Sequence, residues 1–315
     1  MRIYRTTRDL PEDARRAVVA MGNFDGVHRG HQAVLARAAE VAAGYGAPLA
    51  VMTFEPHPRA LFAPETPPFR LTPFRTKARI LQDMGVEILY VIHFDRVFSE
   101  MAAGQFVEDI LVRDCAVRHV VTGGDFVFGH KRSGAGAMLQ DAGQRLGFGV
   151  TLVPLTLGEN SQPCSSSQVR ALLQAGQPEQ AAQLLGRPWL VEGLVRQGQQ
   201  RGRTIGVPTA NLDLGEYLRP AFGVYAVQVG LEDGRTLSGV ANIGRRPTVN
   251  EGTDVRLEVH ILDAGADLDL YDRHLRVGLL SFIRPEQKFE DLDALRARIT
   301  QDMDQARNIC HQHGL

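Results

Sequence analysis

The chain has 315 residues, room for about two domains, and 44% of them are hydrophobic, enough to bury sizeable cores. With 35 Lys and Arg against 36 Asp and Glu the formal net charge is −1, so no global field draws the chain to a nucleic-acid backbone or an anionic membrane. Three widely spaced cysteines, Cys115, Cys164 and Cys310, form neither a disulfide framework nor a C-x-x-C motif. No apolar run approaches the roughly 18 residues of a membrane span, and the charged start MRIYRTTRDLPEDARR lacks the apolar centre of a secretory signal. The expected address is the cytoplasm, and any anionic ligand needs a local site.

In chain order, residues 18–21, 49–54, 88–94, 119–122 and 150–154 are short runs apolar at consecutive positions, as parallel strands covered on both faces are. Between them, residues 32–43 place Val34, Leu35, Ala38 and Val41 on one helical stripe that stops at Gly44. Residues 74–84 and 103–114 carry similar periodicity. The alternation predicts an open parallel sheet with helices on both faces, which binds ligands at the carboxyl ends of its strands. From about residue 187 the texture changes. Residues 190–195, 223–229, 236–242, 255–262 and 275–282 are β-rich segments between Gly, Asp and Asn turns, the pattern of an antiparallel barrel or sandwich. A final segment, 289–310, carries Leu292, Leu295, Ile299 and Met303 at helical spacing and is expected to pack one face on that barrel. The expected domains are 1–186 and 187–315.

The densest motif of the first half is GNFDGVHRGH, residues 22–31, between a predicted strand and a predicted helix. A glycine-rich turn there makes a phosphate site, because free N–H groups and the helix dipole face the anion. His28 and His31 can donate to phosphates and to the charge that builds on a leaving pyrophosphate. An isolated H-x-x-H is equally what an exposed turn with two histidines looks like, and no further ligands stand at a spacing that would make a zinc site. TGGDFVFG, residues 122–129, comes close to a P-loop, but His130 stands where the lysine belongs. SSSQVR, residues 165–170, offers hydroxyl caps and an arginine in a first helical turn, fit for a phosphate or for a plain helix start. TFEPHPR, residues 53–59, ends the second predicted strand in a proline-stiffened loop.

In the second half, GQQRGRTIGVPTANL, residues 198–212, combines glycine turns with Arg201 and Arg203, as a flap over polyphosphate does, or a plain loop. Thr209 and Asn211 follow with hard oxygen atoms two positions apart. Glu258 lies in the alternating strand RLEVH. It is either a solvated carboxylate or, facing a nucleotide, a proton acceptor.

The motifs G-x-F-D-G-x-H-x-G-H, F-x-P-H-P, G-x-D-F-x-F-G and S-S-x-x-x-R, in this order, resemble the nucleotidylyltransferase module of bacterial bifunctional riboflavin kinase/FMN adenylyltransferases, often called FAD synthetases. The strings G-R-x-x-G-x-P-T-A-N-L, G-V-Y-A-V, G-V-A-N-I-G-x-x-P-T, E-V-H-I-L-D, D-L-Y and F-I-R-P-E-x-K-F resemble the riboflavin kinase module of the same family. The likeness runs from about residue 15 to residue 305. It implies a Rossmann-like α/β nucleotidylyltransferase domain followed by a six-stranded Greek-key β-barrel with a C-terminal helix.

For the first module, the resemblance implies that His28, His31 and Arg170 are catalytic and that Gly22, Phe24, Asp25, Gly30 and Ser166 bind ATP phosphates. Phe54, Pro56, His57, Pro58, Asp125 and Phe128 would line the flavin pocket. For the second, it implies Glu258 as the base on the riboflavin 5′-hydroxyl, Gly202 and Arg203 over the transferring phosphate, and Thr209 and Asn211 on Mg²⁺ and ATP. Riboflavin, FMN, FAD and ATP are then the substrates and products. The implied partners are these small molecules alone, with flavin delivered to flavoproteins by a monomer or weak homo-oligomer. Asp272 departs from the glycine usual after D-L-Y, Gln199 and Gln200 reshape the flap, and Asp125 replaces an asparagine-containing version. The competing readings are a chain that keeps one activity and a non-catalytic flavin or nucleotide sensor. Another nucleotidylyltransferase explains residues 22–31 but not 190–290.

Overall fold

The computed structural model describes residues 1–157, 163–196, 207–246, 254–263 and 270–315. The chain forms two compact units, Met1–Thr66 with Thr72–Ser165 and Pro67–Leu71 with Ser166–Leu315.

The first unit holds β1 (Arg2–Tyr4), β2 (Val18–Met21), α1 (Arg29–Tyr45), β3 (Leu49–Glu55), α2 (Pro58–Phe62), α3 (Phe74–Asp83) and β4 (Ile88–His93). It continues with α4 (Arg96–Ser99), α5 (Ala103–Gln105), a π-helical stretch Phe106–Asp114, β5 (His119–Gly123), the small hairpin β6 (Val127–Phe128) and β7 (Gly134–Ala135), α6 (Gly136–Leu146) and β8 (Gly149–Val153). Its main sheet is parallel, in the order β1-β4-β3-β2-β5-β8. The continuous apolar runs are explained by two cores, one on each face. Val19, Met21, Ala50, Met52, Ile88 and Tyr90 point into one, and the alternate residues Val18, Ala20, Leu49, Val51, Leu89 and Val91 into the other. After β4 the chain returns past β3 to set β5 beside β2, so the strand order reverses at β2 and opens a crevice at the carboxyl ends of β2 and β5.

The second unit holds α7 (Ser166–Gln174), α8 (Pro178–Leu185), β9 (Trp189–Leu194), β10 (Ala210–Asp213), β11 (Gly223–Gly230), β12 (Thr236–Arg246), β13 (Asp254–Ile261), β14 (His274–Pro285) and the C-terminal helix Leu292–Gln312. Pro67–Leu71 joins it where Trp189 Nε1 donates to the Leu71 carbonyl at 2.9 Å. The six strands pair antiparallel in the order β10-β13-β12-β11-β14-β9, and the segment β10-β13-β12-β11 is a Greek key. A bridge between Arg196 and Asn211, with the Arg196 N–H donating at 2.8 Å, brings the two edges together, so the sheet closes toward a barrel. Leu212, Tyr225, Val227, Ile243, Leu257, Val277 and Leu279 are buried on alternating positions that fill it.

Several expectations need correction. Helix α1 runs past Gly44 and ends at Gly46, which takes the left-handed C-cap conformation at φ 57°. An edge strand, β1, lies inside the charged start, and α2 occupies part of the proline loop. The C-terminal helix packs one face on the barrel as expected, Met303 included, but its apolar stripe starts later and runs further than expected. Leu292 is 62% exposed, whereas Ala306 and Cys310 are buried against Val224, Ala226, Val240 and Leu280 on the outside of the barrel.

That helix is also held by a buried carboxylate. Arg284 of β14 grips Asp302 through Nε at 3.0 Å and Nη2 at 2.7 Å, and Arg298 approaches the same group at 3.2 Å. Removing one partner of such a pair strands a buried charge. Asp302→Ala is expected to destabilise the second unit by about 3 kcal/mol, read as a lower midpoint in urea unfolding.

Candidate active sites

The loop 22–28 crosses the carboxyl end of β2 into α1, which places it at the crevice where the strand order reverses. Phe24 and Val27 hold left-handed backbone at φ 49° and 43°, a conformation that persists only where surroundings impose it. Asp25 supplies one constraint. Its buried carboxylate accepts from the Thr72 N–H at 2.9 Å, and the Thr72 hydroxyl oxygen accepts from the Gly26 N–H at 2.8 Å. Asp25 therefore anchors the loop from inside. Gly22 and Gly30 leave room for rings: a Cβ at Gly22 would lie 3.3 Å from the Phe24 ring, and one at Gly30 would lie 3.1 Å from the His28 ring.

His28 is the N-cap of α1, its Nδ1 accepting from the His31 N–H at 3.4 Å. With Nδ1 an acceptor, the ring proton of neutral His28 sits on Nε2, on the side away from the helix start. The two imidazoles stack with centroids 3.7 Å apart, and Phe24 lies 5.0 Å from His31. His31 Nδ1 is buried with no hydrogen-bond partner among the described residues. Burial first, then the neighbouring His28 and Lys77, hold His31 well below the ordinary histidine pKa.

His31 is thus a neutral donor at physiological pH. Between its depressed folded pKa and the unfolded value of about 6.5, the unfolded chain binds more protons than the folded one. The first unit should therefore lose stability as pH falls below about 6.5, and urea unfolding of His31→Gln should show a smaller loss over the same range.

Thr122 at the end of β5 donates its hydroxyl to the Met21 carbonyl at 3.2 Å, so the loop 123–129 begins beside the histidine loop. Asp125 is exposed on that loop, and Phe128 is buried in the hairpin, 5.6 Å from Phe106 and 5.9 Å from Phe126. Phe54 is buried among Phe94 and Phe98. Pro56 is exposed after a cis peptide bond, His57 caps α2 by accepting from the Arg59 N–H at 3.1 Å, and Pro58 begins that helix. Ser166 opens α7, where Arg170 donates to the Phe69 carbonyl at 2.8 Å and lies over the Phe69 ring.

In the second unit, Gly202 and Arg203 lie outside the described residues. The register of the barrel places Asn211 of β10 and Asn242 of β12 directly beside Glu258 of β13. Arg256, Glu258 and His260 are half-buried while Val255, Leu257 and Val259 face the interior, so the three polar side chains form a row on the outer face. Asn211 is buried and its Nδ2 donates to the Thr209 carbonyl at 3.4 Å, which turns Oδ1 the other way. Asn242 donates to Glu286 Oε1 at 3.3 Å.

Sequence reasoning missed Thr72, Lys77 and Asn242. Lys77 left one usable signal, a charged residue within the buried stripe Thr76, Ala78, Ile80 and Leu81 of α3. Asp272 holds φ 56°, which explains why glycine is the easier residue at that turn.

Family models described as FAD synthetase and riboflavin kinase match residues 10–168 and 185–310. The bifunctional riboflavin kinase/FMN adenylyltransferase of Escherichia coli (strain K12) is 43% identical over 311 residues, 98% of each chain. The chain belongs to the bifunctional riboflavin kinase/FMN adenylyltransferase family. The Bacillus subtilis (strain 168) member is 37% identical, with 94% of this chain and 93% of that one covered. A crystal structure described as a macrolide-efflux protein from Streptococcus pneumoniae superposes with a TM-score of 0.86 at 31% identity, covering 97% of this chain and 98% of that one. No helix among the described residues is long and apolar enough to cross a membrane. The FAD synthetase match ends inside α7, so it includes Ser166 and stops short of Arg170.

Proposed function

We propose that residues 1–186 carry adenylyl transfer on the histidine loop and residues 187–315 carry phosphoryl transfer at the Glu258 row. The enzyme phosphorylates riboflavin to FMN with ATP and joins FMN to the adenylyl group of a second ATP, giving FAD and pyrophosphate. The observation that carries the assignment is that the two family matches fall on two differently built folds of one chain, each with its own motif set.

In adenylyl transfer a phosphate oxygen of FMN attacks the α-phosphorus of ATP and the bond to pyrophosphate breaks. No protein nucleophile takes part. The site's task is to align the two phosphates and to stabilise the charge on the leaving group. The amino end of α1, the Nε2–H of His28 and neutral His31 supply donors at the strand ends. Gly22, Phe24, Asp25 and Gly30 shape that loop, and Ser166 and Arg170 are assigned to phosphate binding by their motif. Phe54, Pro56, His57, Pro58, Asp125 and Phe128 are assigned to the flavin side.

In phosphoryl transfer the riboflavin 5′-oxygen attacks the γ-phosphorus, ADP leaves, and Glu258 accepts the hydroxyl proton. The hydroxyl of Thr209 and the amide oxygen of Asn211, beside the Glu258 carboxylate, are hard oxygen donors of the kind Mg²⁺ takes, with ATP phosphates completing the set. Thr209 and Asn211 would hold Mg²⁺, which would supply neutralisation of phosphate charge there. Gly202 and Arg203 are assigned to the flap. The enzyme is assigned to the cytoplasm as a monomer or weak homo-oligomer that passes flavin to flavoproteins.

The test is incubation of the purified protein with riboflavin, ATP and Mg²⁺, and separately with FMN, ATP and Mg²⁺, following flavins by chromatography. FMN then FAD from riboflavin, and FAD from FMN, are expected. Binding of both flavins without any product would instead make the chain a sensor.

A further inference from the structure

Lys77 of α3 is fully buried, a costly position for an ammonium group unless its charge and donors are all met. Its Nζ lies 2.8 Å from the Glu55 carboxylate at the end of β3 and donates to the Thr53 hydroxyl at 3.0 Å and to the Asn23 carbonyl at 3.1 Å. Thr53 donates its own hydroxyl to the same Asn23 carbonyl at 3.1 Å. One carbonyl of the histidine loop is therefore pinned by two donors anchored in the sheet and in α3.

The bond between Asn23 and Phe24 is trans, so the Phe24 N–H points opposite to the Asn23 carbonyl, away from Lys77 and Thr53. No acceptor takes that N–H among the described residues. The same clamp holds Phe24 at its left-handed φ of 49°, and the Phe24 ring in turn packs beside His31. A lysine needed only for folding would find its acceptors anywhere in the core. Here one of them belongs to the loop that the histidines occupy.

We infer that Lys77 is a positioning residue for adenylyl transfer, clamping the Asn23 carbonyl so that the Phe24 N–H and the His28–His31 pair face the triphosphate. The inference rests on the adenylylation reading above. Lys77 acts through the loop and touches no substrate. Its ammonium also adds to the field that lowers the His31 pKa.

The test uses the full-length enzyme as Lys77→Met and as Lys77→Met with Glu55→Gln, the second removing the carboxylate that the first leaves uncompensated. In both, the kcat for FAD formation from FMN should fall about a hundredfold while riboflavin phosphorylation is unchanged. The acid limb of FAD formation should move to higher pH, because His31 loses a neighbouring cation and protonates more readily. Activity at each pH is divided by the folded fraction measured at that pH, so that the limb reports on His31 and not on acid unfolding of the first unit. Folded variants with wild-type FAD formation, or with an unmoved acid limb, would overturn the inference, as would failure of both variants to fold. A wild-type enzyme that makes no FAD would refute the adenylylation reading instead.

Discussion

The Glu258→Gln enzyme is expected to form FMN from riboflavin at least about a hundredfold more slowly while making FAD from supplied FMN at the wild-type rate. Glutamine keeps the shape and the position in the row with Asn211 and Asn242 but no longer accepts a proton. Glu258 is half-buried on the outer face of the barrel, so neither core packing nor a buried ion pair is lost with the charge. The fold should therefore survive, and the defect should lie in kcat. The measurement is the initial rate of each flavin product by chromatography. Equal loss of both products would remove Glu258 from its proposed role.

His31→Ala should have the opposite signature, with FAD formation from FMN reduced about a hundredfold or more and FMN formation from riboflavin intact. His28 needs a more careful substitution because its Nδ1 also caps α1. His28→Asn keeps an acceptor for the cap, whose loss alone would cost about 1 kcal/mol, and removes the imidazole Nε2–H. FAD formation should fall in His28→Asn without a lower unfolding midpoint. Retained activity in that variant would reduce His28 to a helix cap.

What the sequence revealed about this chain follows the range of each signal. The histidine loop was legible because a strand, a glycine-rich turn and a helix start are consecutive, and the reversal of strand order at β2 makes that same place the ligand crevice. Helix α6 was not legible. Its Gly136 and Gly143 weaken the helical pattern, yet they let the helix approach Leu152 and the Phe148 carbonyl, where a Cβ would come within 2.6 Å. Thr72 and Lys77 lie 47 and 54 positions from the loop residues they hold, so no local pattern connects them. Glu258 could be read as a strand residue, but its neighbours Asn211 and Asn242 come from a barrel register that no single strand encodes. Strand β10 escaped notice because only Ala210–Asp213 pairs with β13, a short strand beside a glycine-rich stretch.

In the proposed assignment one chain carries two different phosphorus chemistries, attack at the γ-phosphorus in one unit and at the α-phosphorus in the other. The most direct test supplies riboflavin with ATP radiolabelled at the γ- or at the α-phosphorus and follows label in the separated flavins. Expected are γ-label in FMN and in the FAD made from it, and α-label in FAD only, with unlabelled pyrophosphate released from α-labelled ATP. Alpha label in FMN, or FAD that carries no α-label, would contradict it.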